Sequence, residues 1–164
     1  MPVSTLILVR HAKSDWSGTE ADIDRPLNDR GRQQAPLVGK WLNHHLPVID
    51  RAVVSPAVRA QTTWSLAAEE LAMHPPAVTD ARMYAASSMQ LLAVMRGLPS
   101  DASTVVLIGH NPGIEDVVAL LTGHSVHMNT SALAVITFDG GWDTVSEDAG
   151  RLAFFGRPPR SVGP

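Results

Sequence analysis

The chain has 164 residues, 45% apolar and 18% charged, which suits one folded domain and excludes a disordered chain. Its formal net charge of −3 offers no bulk attraction to nucleic acid or to an anionic membrane, and the absence of cysteine excludes disulfides and thiolate chemistry. With no secretory leader and no apolar run near the roughly 20 residues of a membrane span, the expectation is a cytoplasmic protein.

The first apolar run, Val3 to Val9, contains a serine and a threonine and predicts a strand at Leu6–Val9. Asn28 is suited to cap a helix running towards His44, with Leu37, Val38, Trp41 and Leu42 on its apolar side. Pro36 falls inside that pattern, so the helix is expected to kink there or to start later. Ala52–Val54 predicts a second strand. Ser55–Pro56 reads as an N-cap with proline at the first helical position, opening a helix to about Met73. Trp64 within it, like Trp41 before it, has core spacing. Ser87 or Ser88 opens a shorter helix that ends at Gly97. Thr104–Ile108 predicts a strand, Asn111–Pro112 a helix start, and Gly123 that helix's end. Leu133–Phe138 and, more weakly, Arg151–Phe155 complete the strands. Continuous rather than alternating apolarity indicates strands covered on both faces, as in a mostly parallel sheet. Strands alternating with helices indicate an α/β layer fold. Residues 1–156 read as one domain, and 157–164, rich in proline, as a flexible C-terminal tail.

Polar residues gather where three of these strands end. Arg10–His11 follows the first. Ser55 to Ala60, "SPAVRA", follows the second and puts Arg59 in the first turn of the next helix. Gly109 to Gly113, "GHNPG", follows Thr104–Ile108 and puts His110 just ahead of a helix N-terminus. In an open parallel sheet these carboxyl ends share the edge where ligands bind. A helical Arg59 leans back towards it. Two arginines and two histidines are therefore expected to converge. Guanidinium forks and helix N-termini both suit phosphate. There is no Gly-rich loop with a lysine, so this is not a P-loop, and no aspartate cluster is placed for magnesium. The chemistry expected is phosphoryl transfer with no metal or other cofactor. The arginines neutralise the moving charge and a neutral imidazole accepts the phosphoryl group.

"LVRHAKS", "SPAVRAQTT" and "GHNPG" closely resemble the three signature blocks of the histidine phosphatase (phosphoglycerate mutase-like) superfamily, from the first strand to past Gly113. "DRPLNDRGRQQA" (Asp24 to Ala35), "LTG" (Leu121 to Gly123) and the short length are similar to its SixA-type phosphohistidine phosphatase branch. The resemblance implies a three-layer α/β/α sandwich around a mostly parallel central sheet. It implies His11 as the nucleophile that becomes transiently phosphorylated, and Arg10, Arg59 and His110 as the rest of the phosphate pocket. The usual glycine after the histidine is Ala12 here, so the loop is expected to need no positive φ at that point.

Many members of the superfamily carry a glutamate after the third strand that protonates the leaving oxygen. The matching stretch here, "DARMYAASS" (Asp80 to Ser88), has none. Asp15, Asp24, Glu115 and Asp116 are the carboxylates that could stand in. Imidazole, with an ordinary pKa of about 6.5, leaves far more readily than an alkoxide. The gap therefore fits a phosphoramidate such as phosphohistidine, or an aryl phosphate. The short span between Ala60 and Thr104 leaves little room for a cap over a small substrate. The expected function is a metal-independent phosphatase with a phosphohistidine enzyme intermediate, acting on a phosphohistidine-bearing protein. Two other readings stay open: a broad-range phosphatase on aryl or small metabolite phosphates, and a phosphoprotein-binding module of weak turnover. Nucleic acid and membrane are not expected as partners. The sequence leaves the oligomeric state open, with a monomer favoured.

Three further residues are pocket candidates. Ser14 could donate to phosphate, Trp16 could line or cover the pocket, and Asp24–Arg25 is expected as an ion pair at its rim. Asn111 is read as an N-cap. His44–His45 complements a helix dipole. His124 and His127 lack a third ligand for a metal.

Overall fold

Successive side chains of a strand point to opposite faces of its sheet, so a strand apolar throughout needs cover on both sides. The structure, a computed structural model describing residues 2–160, provides that cover. Its strands are β1 (Val3–Arg10), β2 (Arg51–Val54), β3 (Ala77–Thr79), β4 (Thr104–Gly109), β5 (Leu133–Asp139) and β6 (Gly150–Gly156). Its helices are α1 (Asp29–His45), α2 (Val58–Ala68), α3 (Ser88–Arg96) and α4 (Gly113–Thr122). The strands form one sheet in the order β3-β2-β4-β1-β5-β6. β3, β2, β4 and β1 pair in parallel, while β5 runs antiparallel to β1 and β6 antiparallel to β5. Leu6, Leu8, Val105 and Leu107 pack with Ile114, Val117 and Leu121 of α4 and Leu91 and Met95 of α3. The alternate residues Ile7, Val9, Val106 and Ile108 pack with Val38, Trp41 and Leu42 of α1 and Trp64 of α2. This is the three-layer α/β/α arrangement, with Trp41 and Trp64 in the core as expected.

Several boundaries differ from the sequence reading. Asn28 caps α1, accepting from the Gly31 amide at 2.9 Å, and the helix runs through Pro36 rather than starting after it. Pro36 deprives the Arg32 carbonyl of its helical partner; burial of Val38, Trp41 and Leu42 offsets that loss. α2 starts at Val58 and ends at Ala68, short of Met73. Ser55 is not its N-cap, because that hydroxyl is engaged elsewhere. Of the two serines, Ser87 opens α3, in a capping box with Gln90. β3 escaped the sequence reading because it has three residues, all exposed. Of the expected tail, residues 161–164 lie outside the described residues, while Pro158 is buried. No helix among the described residues is long and apolar enough to cross a membrane.

Close packing of α1 sets the geometry of the site. A Cβ at Gly39 would lie 2.0 Å from the Ala67 carbonyl oxygen of α2, and one at Gly31 would lie 2.1 Å from that of Lys13, two residues past His11. We predict that Gly39→Ala lowers stability by about 1–3 kcal/mol, the usual cost of overpacking. Urea unfolding would show this as a lower midpoint at unchanged slope.

Candidate active site

β4 pairs in parallel with both β1 and β2, so the carboxyl ends of the three strands lie side by side. Arg10 ends β1 and His11 follows it; His110 follows β4; Arg59 is the second residue of α2. These four residues line one cavity of about 220 Å³, with Lys13, Ser14, Trp16, Arg25, Asn111 and Thr130. The centroids of the His11 and His110 rings are 5.1 Å apart.

His11 is buried. Its Nδ1 lies 2.7 Å from the Ala12 carbonyl, and its Nε2 faces Arg59 Nε at 3.4 Å. Arginine only donates, so Nε2 holds the lone pair and Nδ1–H donates to the carbonyl. The loop that presents His11 is braced from three sides. The Ala12 amide donates to Thr63 Oγ1 at 2.9 Å, and that hydroxyl donates to the Arg59 carbonyl at 2.7 Å. The Lys13 amide donates to Gln34 Oε1 of α1 at 3.0 Å. The Ser131 amide lies 3.1 and 3.0 Å from the Arg10 and His11 carbonyls. Outside glycine, positive φ among the described residues occurs at Ala85, Ser131 and Asp148, so Ala12 is accommodated without strain.

Three guanidinium groups are held by their outer nitrogens. Arg10 Nη1 donates to the Met128 carbonyl at 3.0 Å. Arg25 donates through Nη1 to Ser14 Oγ and through Nη2 to Asp22 Oδ1, the latter at 3.0 Å. Arg59 donates through Nη1 to the Asp22 carbonyl at 2.6 Å and through Nη2 to Asp22 Oδ2 at 3.1 Å. Arg10 Nε, Arg25 Nε and His110 Nδ1 are buried without a partner among the described residues. Unpartnered buried donors are uncommon and call for a reason. These three belong to residues of one pocket; two further buried atoms, Asn111 Oδ1 of the same pocket and Arg51 Nε of β2, also lack a partner among the described residues.

Asp22 is the residue that the sequence reading missed. It sits in the 3-10 turn Asp22–Asp24 and binds both arginines. It also accepts the Tyr84 hydroxyl at 2.5 Å. The Tyr84 hydroxyl and then Arg25 hold its carboxyl well below the usual carboxylate range. The expected ion pair of Arg25 with Asp24 is not found. In this turn Arg25 meets the residue three before it, and Asp24 points to solvent. Nothing but a two-residue difference in phase separates the two aspartates in sequence.

The remaining candidates sort by contact. The Trp16 ring, 73% exposed, lies under the Arg25 guanidinium at 3.6 Å, so it both lines and covers the pocket. Ser14 is buried and accepts from Arg25. Asn111 is not an N-cap; its Nδ2 donates to the Met128 carbonyl at 2.8 Å, and Pro112 occupies the cap position. Glu115 braces the same loop, accepting the Met128 amide at 2.6 Å with His127 Nδ1 at 3.3 Å. Asp15 accepts from Ser17. Asp116 lines, with Asp22 and Tyr84, an adjoining cavity of about 520 Å³ that shares Arg59, His110 and Asn111 with the cavity around His11. Ser55, read as a helix cap, instead lies 2.7 Å from His110 Nε2 and accepts the Ala57 amide at 3.2 Å. His45 stacks on Trp41 at the end of α1, remote from these residues in the fold. No group of three or more His, Asp or Glu among the described residues is arranged to hold a metal ion.

Burial pushes the His11 imidazole down to about 3, with the nearby His110, Arg59 and Arg10 charges adding to it. Burial and then the Arg59 charge push His110 down to about 4. Both rings are neutral at pH 7. Unfolded histidines take up protons below about 6.5, while these do so only near 4 and 3. Stability contributed by the neutral pair is therefore lost as pH falls from about 6.5 through about 4 for His110 and about 3 for His11. We predict a urea midpoint that drops over that window, with a shallower drop in His11→Gln. A second prediction concerns Asp22. Asp22→Asn should loosen Arg25 and Arg59 yet remove a negative charge beside the phosphate site. It should lower kcat by about tenfold, the equivalent of one charge-assisted hydrogen bond, while inhibition by inorganic phosphate stays as tight or tightens.

Known proteins share this arrangement. Residues 6–84 match the family model of the histidine phosphatase superfamily, branch 1. An uncharacterised protein of Mycobacterium tuberculosis is 30% identical over 161 residues, 92% of this chain and 99% of that protein. The phosphohistidine phosphatase SixA of Escherichia coli is 28% identical over 138 residues, 82% of this chain and 85% of that protein. The structure of a candidate SixA phosphohistidine phosphatase from Nakamurella multipartitia superposes with a TM-score of 0.87 at 26% identity, over 96% of this chain and 98% of that one. With the fold, the three strand-end blocks and these relatives in agreement, the chain belongs to the histidine phosphatase superfamily, in its SixA-type branch, and is a phosphatase.

Proposed function

We propose that this phosphatase hydrolyses phosphohistidine on a protein, without a metal, through a phosphorylated His11. The observation that carries the reading is the state of His11. A buried, neutral imidazole has one nitrogen fixed as N–H and the other held bare beside Arg59. In the first step His11 Nε2 attacks phosphorus in line. The P–N bond to the substrate imidazole breaks, and the leaving nitrogen takes its proton from water. Arg10, Arg59 and His110 hold the three equatorial oxygens, with Arg25 as a further donor. In the second step water attacks phosphorus, the bond to His11 breaks, and inorganic phosphate leaves. Ser55 sets the second histidine for its part. With its hydroxyl donating to Nε2, His110 keeps the proton on Nδ1, where an N–H can meet a phosphate oxygen.

Two observations support a nitrogen leaving group. The phosphate pocket has no carboxylate in its lining, and Asp22 in the adjoining cavity is ionised. An ionised carboxylate has no proton to give an alkoxide, whereas an imidazole departs without a strong acid. The catalytic pocket itself, at about 220 Å³, is small, and Trp16 at its rim is exposed. A site of this size with an exposed aromatic rim suits a histidine presented on another protein's surface.

The test is metal-free incubation, with chelator, of the protein with a phosphohistidine-bearing carrier protein and with p-nitrophenyl phosphate. Phosphohistidine should disappear faster than the aryl ester, and His11→Ala should lose activity on the order of 10³-fold or more. Acid-labile phosphate should be trapped on His11 in the wild type. Slow loss of phosphohistidine with brisk aryl-ester hydrolysis would move the assignment to a broad-range phosphatase. Phosphate binding with turnover on neither substrate would favour a binding module.

A further inference from the structure

Arginines that share a cavity repel one another, and a fold normally separates them or supplies carboxylates. Beside the catalytic pocket lies a larger cavity, of about 710 Å³, where neither happens. Arg30 of α1 and Arg157 and Arg160 beyond β6 all line it. The remaining lining is two glutamines, Leu37 and Pro158, with no carboxylate. None of the three arginines forms an ion pair among the described residues; Arg157 donates only to Thr130, to its carbonyl at 2.9 Å and its hydroxyl at 3.2 Å. Three unpaired cations on one concavity, in a chain whose net charge is −3, form a local field opposite to that of the whole.

Two hydrogen-bonded pairs join the lining of this cavity to that of the catalytic one. Thr130, held by Arg157, lines the phosphate pocket, and the Arg157 charge is felt at Arg10. Gln34, which lines the larger cavity, accepts the amide of Lys13, which lines the smaller. A chain leaving the phosphate site on this side would pass Thr130 and Lys13 towards the arginine-lined cavity. The opposite neighbour, with Asp22 and Asp116 on its wall, has the reverse character.

We infer that the groove of Arg30, Arg157 and Arg160 is a docking subsite for an acidic segment flanking the phosphorylated histidine of a protein substrate. The inference rests on the phosphoprotein reading above. The cavity is about three times the volume of the phosphate pocket, which suits several side chains rather than one more phosphate. Exposed guanidinium groups give orientation and encounter rate more than tightness. The subsite should therefore act on kcat/KM, and its effect should fade with salt.

The experiment compares two phosphohistidine peptides that differ only in a flank of glutamates or of glutamines. Both are assayed on the wild type and on Arg30→Gln/Arg160→Gln, whose two positions are exposed. The wild type should favour the glutamate peptide by about tenfold in kcat/KM at low salt. That preference should collapse in the double variant and, in the wild type, at high salt. Equal rates on the two peptides in the wild type, or an equal preference in both proteins, overturns the inference. If the double variant does not fold, the salt dependence of the wild-type preference decides alone. Binding of the unphosphorylated glutamate peptide, followed by fluorescence, separates this inference from the catalytic reading. If neither phosphopeptide is hydrolysed while p-nitrophenyl phosphate is, the phosphohistidine assignment fails. The groove then stands on peptide binding that the double variant loses, and falls if such binding is absent or unchanged. A single-stranded oligonucleotide that binds the groove more tightly than the peptide also overturns it.

Discussion

The site depends on one carboxylate keeping two like charges together. Arg25 and Arg59 both point into a pocket that already holds Arg10 and Lys13. Left alone, they would separate or swing into water. Asp22 takes an outer nitrogen of each, and the Tyr84 hydroxyl holds Asp22 in turn. The anchoring uses the outer ends of both guanidinium groups; the inner N–H of Arg59 faces His11 Nε2, and that of Arg25 has no partner among the described residues. On the proposed reading the donors are positioned before the phosphate arrives, and that is where electrostatic catalysis gains most.

The sheet makes this arrangement possible. Parallel pairing of β4 with β1 and β2 brings Arg10–His11 beside His110 and the start of α2, although Arg59 lies 48 positions from His11 and His110 about as far again along the chain. Helices on both faces keep the strand ends rigid. The loops between are then fixed by single contacts: Thr63 to Ala12, Gln34 to Lys13, Ser55 to His110, Glu115 to the Met128 loop. Each contact joins two elements distant in sequence. Each belongs to a residue type that is common in loops and helix starts for purely local reasons.

That difference explains what could be read early. The four central residues stood out because Arg10, His11 and His110 are polar groups at the end of an apolar strand and Arg59 lies in the first turn of the helix that follows one, positions that folding alone gives no reason to fill. Ser55 and Asn111 were open to a sound local explanation, helix capping, and tertiary partners overrode it in both. Asp22 had no distinguishing mark at all. It and Asp24 flank one isoleucine, and only the handedness of a single 3-10 turn selects which faces Arg59. Pro36 was given too much weight for the same reason: its local cost is real, but the buried face of α1 is stronger.

What the amino-acid sequence determined by itself is the layer pattern and the chemistry on offer. Runs apolar throughout demand cover on two faces, and strand-terminal arginine and histidine without cysteine or a nucleotide loop point to phosphoryl transfer. What only the tertiary structure decided is the arrangement of charge around that chemistry: Asp22 as anchor, Ser55 as the partner of His110, and three arginines gathered beside the pocket. Periodicity is a property of neighbours in the chain and survives in a sequence. Electrostatic pairing depends on distances across the fold, and those exist only once the chain has closed on itself.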